Sequence, residues 1–533
     1  MNKIILYPFV IFSFLFSQFD LDPRMTGMSE AYTTVASGYQ CIGVNPANLA
    51  LNKSLSMNLF SANLFLINDF MSMKIYNDIN GADFENTASV SYYSKSDLLD
   101  QIKGDNIELQ VGAVLPLPAF NFAYKNFGFS AVNKTYAKFK IPKTILDIML
   151  NGNTKDQRFL LGLGGEGISF NEIALSYGQK FDLGIPIHVG ISFKYLMGII
   201  YLEMNDIENG GSYLLTEQTA FHGAGKYLIE QAFGGQGTAT DLGIVLPEFY
   251  DGWDIGLSLI NMGGSIVYST DNVIRESLGS SFESATNLRQ NEYLYFDFLI
   301  DTMSIMSAYN SNDEIISSNS YNVGIFSDIP LEDDYDISTD LFYYSVIDGD
   351  SILNVVPSYI DADLIVDLGD GSYLVPSENL QNNQLQSKTS KDIHLDYPSS
   401  MRFGISKQFE NYGILAIDFI TGFDNSFGNS NKFRLSVGTE ITRINKNFPI
   451  RMGFSTGGNN PPSYGLGFGY KFGPVSLDFS RKYYHGLIFN RTKGAQYSFN
   501  VSLDLTDIEN YKIEFRLPEI KLPKIPQLPD FKF

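Results

Sequence analysis

The chain has 533 residues, with 37 Lys or Arg against 59 Asp or Glu, and a net charge of −22 at pH 7. Charged residues are only 18% of it, against roughly 25% in an average soluble domain, while 42 Phe, 32 Tyr and one Trp bring the aromatics to 14%. Few charges, an acidic balance and 47 glycines exclude a coiled coil, a disordered chain and a nucleic-acid binder, which needs a basic face.

Residues 1–17 read as a secretory signal peptide: one basic residue, Lys3, an apolar stretch from Ile4 to Phe16, and small Ser17 at the expected cleavage point. Leu15 is a poor fit to the small residue usual at −3, and Pro8 interrupts the apolar run. Residues 18–53 form a separate N-terminal segment in which Asn45 is placed to cap a turn whose first residue is Pro46. Small Gly27, Ala31 and Ala47 permit close packing there.

From residue 54 to residue 505 the segments between turns alternate with the strand period of two. The alternating runs are Ser54–Leu66, Ile107–Leu115, Ala119–Lys125, Phe127–Lys138, Ile173–Phe181, Ile187–Tyr201, Thr238–Leu246, Trp253–Ile260 and Tyr293–Ile300, followed by a clearer C-terminal set at Met401–Ser406, Phe433–Gly438, Phe448–Phe454, Tyr464–Phe472, Val475–Ser480 and Tyr497–Leu505. This predicts about 14 to 16 strands. One face is Phe, Tyr, Leu and Ile; the other is Gly, Ser and Asn with isolated charges, as at Tyr464–Phe472, where five aromatic or aliphatic positions face away from Gly465, Gly467, Gly469 and Lys471. A soluble sandwich would carry Lys, Glu and Thr on its second face. The pattern instead predicts an all-β fold, a transmembrane antiparallel β-barrel with an apolar outside and a wet lumen, because a spanning sheet must close to satisfy its backbone. A secreted soluble β protein is the competing reading.

Short helices are expected at Ser96–Ile102 with Ser96 as N-cap, at Pro142–Leu150 with proline at N1, and at Arg275–Arg289. Residues 301–396 form a polar, acidic insert, with Asp348-Gly349-Asp350 and Asp367–Asp370 as its carboxylate clusters. Their spacing is not that of an EF-hand, so solvated loops are expected, with no metal and no cofactor. The tail 506–533 carries Pro518, Pro523, Pro526 and Pro529, which favour an extended periplasmic arm able to meet a partner protein.

Gly27-Met28-Ser29-Glu30-Ala31-Tyr32, Val35-Ala36 and Asn45-Pro46-Ala47-Asn48-Leu49 together resemble the N-terminal signature of the long-chain fatty-acid transporter (FadL-like) superfamily of outer-membrane barrels. That superfamily also includes the shuttle barrel of type IX secretion. Thr240–Gly243 with Ile255–Gly264 resembles its central hairpin, and Pro449–Phe454, Tyr464–Phe472 and Pro474–Phe479 its closing strands. Ser29-Glu30 stands where a second glycine is expected, and Val44 where an aromatic residue is frequent, which points to an uncharacterised Bacteroidetes-type branch. The resemblance implies a barrel of about 14 strands in the outer membrane, in contact with its lipid, with Gly27, Met28, Ala31, Asn45, Pro46 and Ala47 in a lumenal plug. It implies a channel or carrier for a hydrophobic ligand. The alternative is an interaction barrel in secretion or surface attachment.

Inward parity places Arg402, Arg434, Arg451 and Lys471 in the lumen with Glu440 and Asp478. An arginine there is a candidate carboxylate partner; the plainer expectation is a charge ladder satisfied from strand to strand. Gly162–Gly167 matches GxGxxG but precedes a strand pattern, which excludes a dinucleotide site. Gly453–Gly457 matches GxSxG, with Asp478 and His485 downstream, yet a turn rather than a helix follows Ser455, so a lipase or esterase is a remote reading and no catalytic residue is assigned.

Overall fold

In the computed structural model the described residues are 22–505, except 153–155, 209, 217–219, 270–291, 305–321, 327–341, 348–349, 356–365, 368–372, 375–391, 425–426, 428, 460 and 487–488. The expected signal peptide, the expected Arg275–Arg289 helix, most of the acidic insert and the expected C-terminal arm lie outside them.

Fourteen strands close into one antiparallel ring. In chain order they are β1 (Leu55–Asn68), β2 (Asn106–Pro116), β3 (Phe127–Pro142), β4 (Gly164–Asp182), β5 (Pro186–Asp206), β6 (Ala220–Tyr250) and β7 (Trp253–Tyr268), then β8 (Ser400–Phe409), β9 (Gly413–Gly422), β10 (Arg434–Ile441), β11 (Ile450–Gly457), β12 (Ser463–Phe472), β13 (Val475–Tyr484) and β14 (Gly494–Asp504). Each pairs with the next, and β14 pairs with β1 from Ser56↔Asp504 to Ile67↔Gly494, which closes the wall. Closure leaves the ring no free edge.

The two ends differ. Residues 183–185, 251–252 and 473–474 are tight turns at one end, where β1 begins and β14 finishes; the connections 69–105 and 269–399 leave the other. Outward positions are apolar and exposed, among them Leu64, Phe193, Leu242, Phe419, Phe468 and Phe499. Inward positions on the closing strands are small or polar and buried, such as Ser436, Ser455, Ser480, Ser498 and Asn500.

Residues 22–51 fold inside the ring as helix α1 (Pro23–Gly27) and two 3-10 turns, Gly38–Cys41 and Pro46–Leu51. Met25, Met28, Ala31, Tyr32, Cys41, Val44 and Leu49 form their own buried cluster.

Several expectations are corrected. Many glycines on the inward face make room for the plug, because a methyl group at Gly190 would overlap the Pro46–Ala47 peptide, and one at Gly453 the Met28–Ser29 peptide. The Ala119–Lys125 run is only a short strand (Phe122–Tyr124) between β1 and β3, and the Tyr293–Ile300 run extends the top of β6 outside the ring. β9 escaped the pattern because Ile414, Ala416 and Ile420 make its inner face almost as apolar as its outer one. The helix after residue 93 is Lys95–Asp100 with Ser94 as its cap, since the Ser94 hydroxyl, not that of Ser96, accepts from Asp97 N–H. Pro142 ends β3 and stands at the N-cap of Lys143–Asn151, one position before N1.

Candidate functional site

The plug is seated by its backbone. Asn45 Oδ1 accepts from Ala47 N–H at 3.1 Å, capping the turn that Pro46 opens, while Ser258 Oγ donates to the Val44 carbonyl at 2.7 Å. Gly27 leaves no space for a side chain between Ser480 and Arg451, and Ser480 donates to the Pro23 carbonyl. Met28, Ala31 and Ala47 are fully buried against the wall. Aspartate on β9 reads the next turn: Asp418 Oδ2 accepts from Tyr32 N–H and Thr33 N–H, both at 2.9 Å, and from the Thr33 hydroxyl at 2.6 Å.

Charges complete the seat. Arg24 grips Glu440 with two parallel bonds of 2.9 and 3.0 Å, and Glu440 also takes Arg451 at 2.7 Å, which reaches Asp478 at 2.5 Å. Glu30 binds Arg434 at 2.9 Å and Lys482, and its carbonyl accepts from Arg402 at 2.7 Å. The expected ladder therefore exists only in part. Arg451 bridges strands, and Arg402 meets Asp418 on the next strand at 3.2 Å, but Arg402 and Arg434 also reach the plug. Lys471 is exposed beside the 473–474 turn, away from these pairs. Parity located the wall members. It had no means of locating Arg24 and Glu30, because a plug without regular period gives no inside or outside.

A second network lies nearer the loop end. Glu172 on β4 accepts from Lys134 at 2.8 Å and from the Tyr397 hydroxyl at 2.7 Å; Lys194 on β5 meets Asp241 at 2.8 Å and Asn261 Oδ1 at 2.6 Å. Asn261 sits at a break in β7, with φ 60°, where pairing with β6 shifts register on both sides of Met262. Its side chain also donates to the Pro398 carbonyl at 2.9 Å. These residues were missed because the N-terminal strands alternate weakly; the cue was a Lys, Glu, Lys and Asp at inward parity on four successive strands.

Between the two networks is a cavity of about 120 Å³. Met25, Glu30 and Arg402 form its floor, Ile168, Phe170, Ile260 and Ile266 its wall, and Tyr397 and Phe427 its roof. Phe170 meets Tyr397 edge-on at 5.1 Å, and Phe427 meets Tyr136 likewise at 6.1 Å. Of the charged residues that line it, Glu30, Lys134 and Arg402 have opposite partners, and Asp396 is exposed to solvent. The chamber is suited to an uncharged apolar guest.

Ser455 Oγ bonds Arg434 at 2.6 Å and Ser463 at 2.7 Å, and neither is a base. Gly164–Gly167 open β4, so the GxGxxG match is followed by strand.

Residues 46–222 match a family described as a family of unknown function (DUF5723). No curated protein sequence matches the chain. Among solved structures, a Pseudomonas aeruginosa FadL homologue is similar at 12% identity and TM-score 0.41, covering 92% of this chain and 100% of its own. The P. putida toluene transporter TodX is similar at 9% and 0.40, covering 90% and 98%, and the CymD monoaromatic hydrocarbon channel at 10% and 0.38, covering 91% and 98%.

Proposed function

We propose that the protein is an outer-membrane barrel that admits small, uncharged hydrophobic molecules to the chamber above its plug. The apolar belt supports membrane placement: in water it would far exceed the few hundred Å² that a soluble monomer normally exposes in one patch. No helix of the described residues is long and apolar enough to cross a membrane. All of the strands but β10 and β11, which have 8 residues, have 10 or more, the length that crosses a bilayer. Export would use the 1–17 signal, and bound lipid would cover the outward aromatics.

The observation that carries the ligand reading is the chamber itself. An apolar cavity of roughly 150 Å³ is enough to hold benzene, and here the rings and aliphatic walls surround a comparable space whose neighbouring charges are already compensated. A carboxylate entering it would bring a charge with no free cation among the described residues to meet it. The β7 break at Asn261 stands against the same chamber and offers the guest a way through the wall.

Mass spectrometry of protein equilibrated in mild detergent with neutral ring compounds and their carboxylates tests this. Retention of the neutral compounds, abolished by Ile266→Trp, is expected; equal retention of carboxylates, or retention indifferent to Ile266→Trp, overturns it. Heat-modifiable gel mobility tests membrane placement separately.

The firmly seated plug favours a second reading, a non-transporting interaction barrel. It expects no retained small molecule, and a periplasmic protein held through the 506–533 arm.

A further inference from the structure

We infer that the guest of the chamber carries a hydroxyl: the site takes neutral ring alcohols and phenols, and Ser400 and Asn429 determine that specificity. The inference deepens the ligand reading proposed above and rests on it. Both residues line the chamber. Ser400 opens β8 at inward parity, two residues before Arg402 in the same row, and pairs with Ile260 on one side and Gly422 on the other.

Other polar groups around the chamber are committed to each other. Lys134 and the Tyr397 hydroxyl both bond Glu172, Asn261 accepts from Lys194 and donates to the Pro398 carbonyl, and Arg402 is held by Asp418 at 3.2 Å and the Glu30 carbonyl at 2.7 Å. Ser400 and Asn429 differ. The Asn429 amide lies over Gly422, where the missing side chain leaves it space, and its Nδ2 donates to the Ser399 carbonyl at 2.9 Å and to Asp424 Oδ1 at 3.3 Å. Both partners are acceptors, which fixes the nitrogen end of the amide and leaves Oδ1 as the other end. Among the described residues nothing donates to Asn429 Oδ1, and the Ser400 hydroxyl makes no hydrogen bond. The tie to Ser399 and the seat over Gly422, the register partner of Ser400, put these two groups side by side.

Their chemistry selects the guest. Asn429 Oδ1 can only accept, whereas the Ser400 hydroxyl can donate, so a guest that satisfies both must give one hydrogen bond and take one through the same small group. A hydroxyl does this: its O–H donates to Asn429 Oδ1 and its oxygen accepts from Ser400. An ether or ketone only accepts, a hydrocarbon does neither, and a carboxylate cannot donate. The ring of such a guest meets Ile168, Phe170 and Ile266, with Phe427, two residues before Asn429, above it. A bound water would satisfy the same two groups, but a guest hydroxyl would then gain nothing over a methyl group.

The test uses the full chain in mild detergent, with equilibrium retention of p-cresol and p-xylene measured against protein-free micelles. The two rings match in size, and p-cresol, like the tyrosine phenol, is neutral at pH 7. Apolar walls alone, or walls with a water held on the two polar groups, favour p-xylene, which loses less hydration on entry. Binding of p-cresol about tenfold or more tighter than p-xylene is expected, with the preference lost in Ser400→Ala and Asn429→Leu and restored in Ser400→Thr. Binding of p-xylene as tightly as p-cresol, or a preference unchanged in both variants, overturns this assignment and leaves the chamber reading standing. Retention of neither compound by a barrel that keeps its heat-modifiable mobility defeats the chamber reading first.

Discussion

Ser29 and Glu30 hold left-handed backbone, φ 48° and 76°, in a turn where the resemblance expects glycine. Such conformations cost a side-chain-bearing residue about 1 kcal/mol or more. The two residues differ in what offsets that cost. Glu30 is bound by Arg434 and Lys482, whereas the buried Ser29 hydroxyl has no hydrogen-bond partner among the described residues. Ser29→Gly should therefore stabilise the barrel by about 1–2 kcal/mol, by relieving strain and removing an unsatisfied group. Glu30→Gly relieves the same strain but strands two buried cations, a loss of about 3–5 kcal/mol, so the net effect is destabilising by about 2–4 kcal/mol. Thermal unfolding in detergent separates the two signs. His485, outside the strands, offers a pH readout: its pKa is lowered to about 4 from 6.5, by burial first and then by Lys493 and Lys103. The unfolded chain thus takes up that proton first, so this residue's contribution to stability is flat above pH 6.5 and falls as pH drops toward 4. NMR titration should find the imidazole neutral at pH 5.5. Arg402, Arg434, Arg451, Glu440 and Asp478 were legible from parity; their plug partners were not, since ion pairing between elements hundreds of residues apart leaves no local pattern.

At the scale of elements, the plug and the glycine-rich inner wall are one fitted unit. Alternating glycine was legible as an inward face, but what filled the space was not, because the filling segment lies far along the chain from the wall glycines it touches, from Gly128 to Gly465. Cys41 makes the fit measurable. It is the chain's one cysteine, fully buried in the plug, and burial pushes its thiol well above the ordinary range. A maleimide should leave it unmodified in the native barrel and label it completely in denaturant. Gly453→Ala and Gly190→Val, whose side chains would occupy plug backbone, should make Cys41 reactive while the ring persists, as judged by gel mobility. Native protection unchanged in both variants would mean that the wall yields and the plug does not depend on those glycines.

For the whole molecule, the scarcity of charge reflects a chain with two surfaces, an apolar outside and an inside whose charges are spent on each other. Ring closure was legible because most strands show period two regardless of their neighbours, β9 being the exception. The state of the lumen depends on a balance no strand reveals. The plug layer holds five cations, Arg24, Arg402, Arg434, Arg451 and Lys482, against five carboxylates, Asp22, Glu30, Asp418, Glu440 and Asp478. Neutral as a set and buried, these charges cannot be removed singly without leaving a partner exposed to low dielectric. Glu30→Gln with Glu440→Gln removes two of the five carboxylates and leaves three carboxylates to five cations around α1. Repulsion within the layer should then release the plug, and a ring of 14 strands without its filling is wide enough for water and ions. In planar bilayers the wild-type protein should be electrically silent and the double variant should give discrete conductance steps, reversed by restoring either carboxylate. Retained heat-modifiable mobility would confirm that the ring itself survives. Silence in the double variant, with that mobility intact, would mean that hydrogen bonds from Asp418, Ser258 and Ser480 suffice to hold the plug and that the charges serve only to tune its seat.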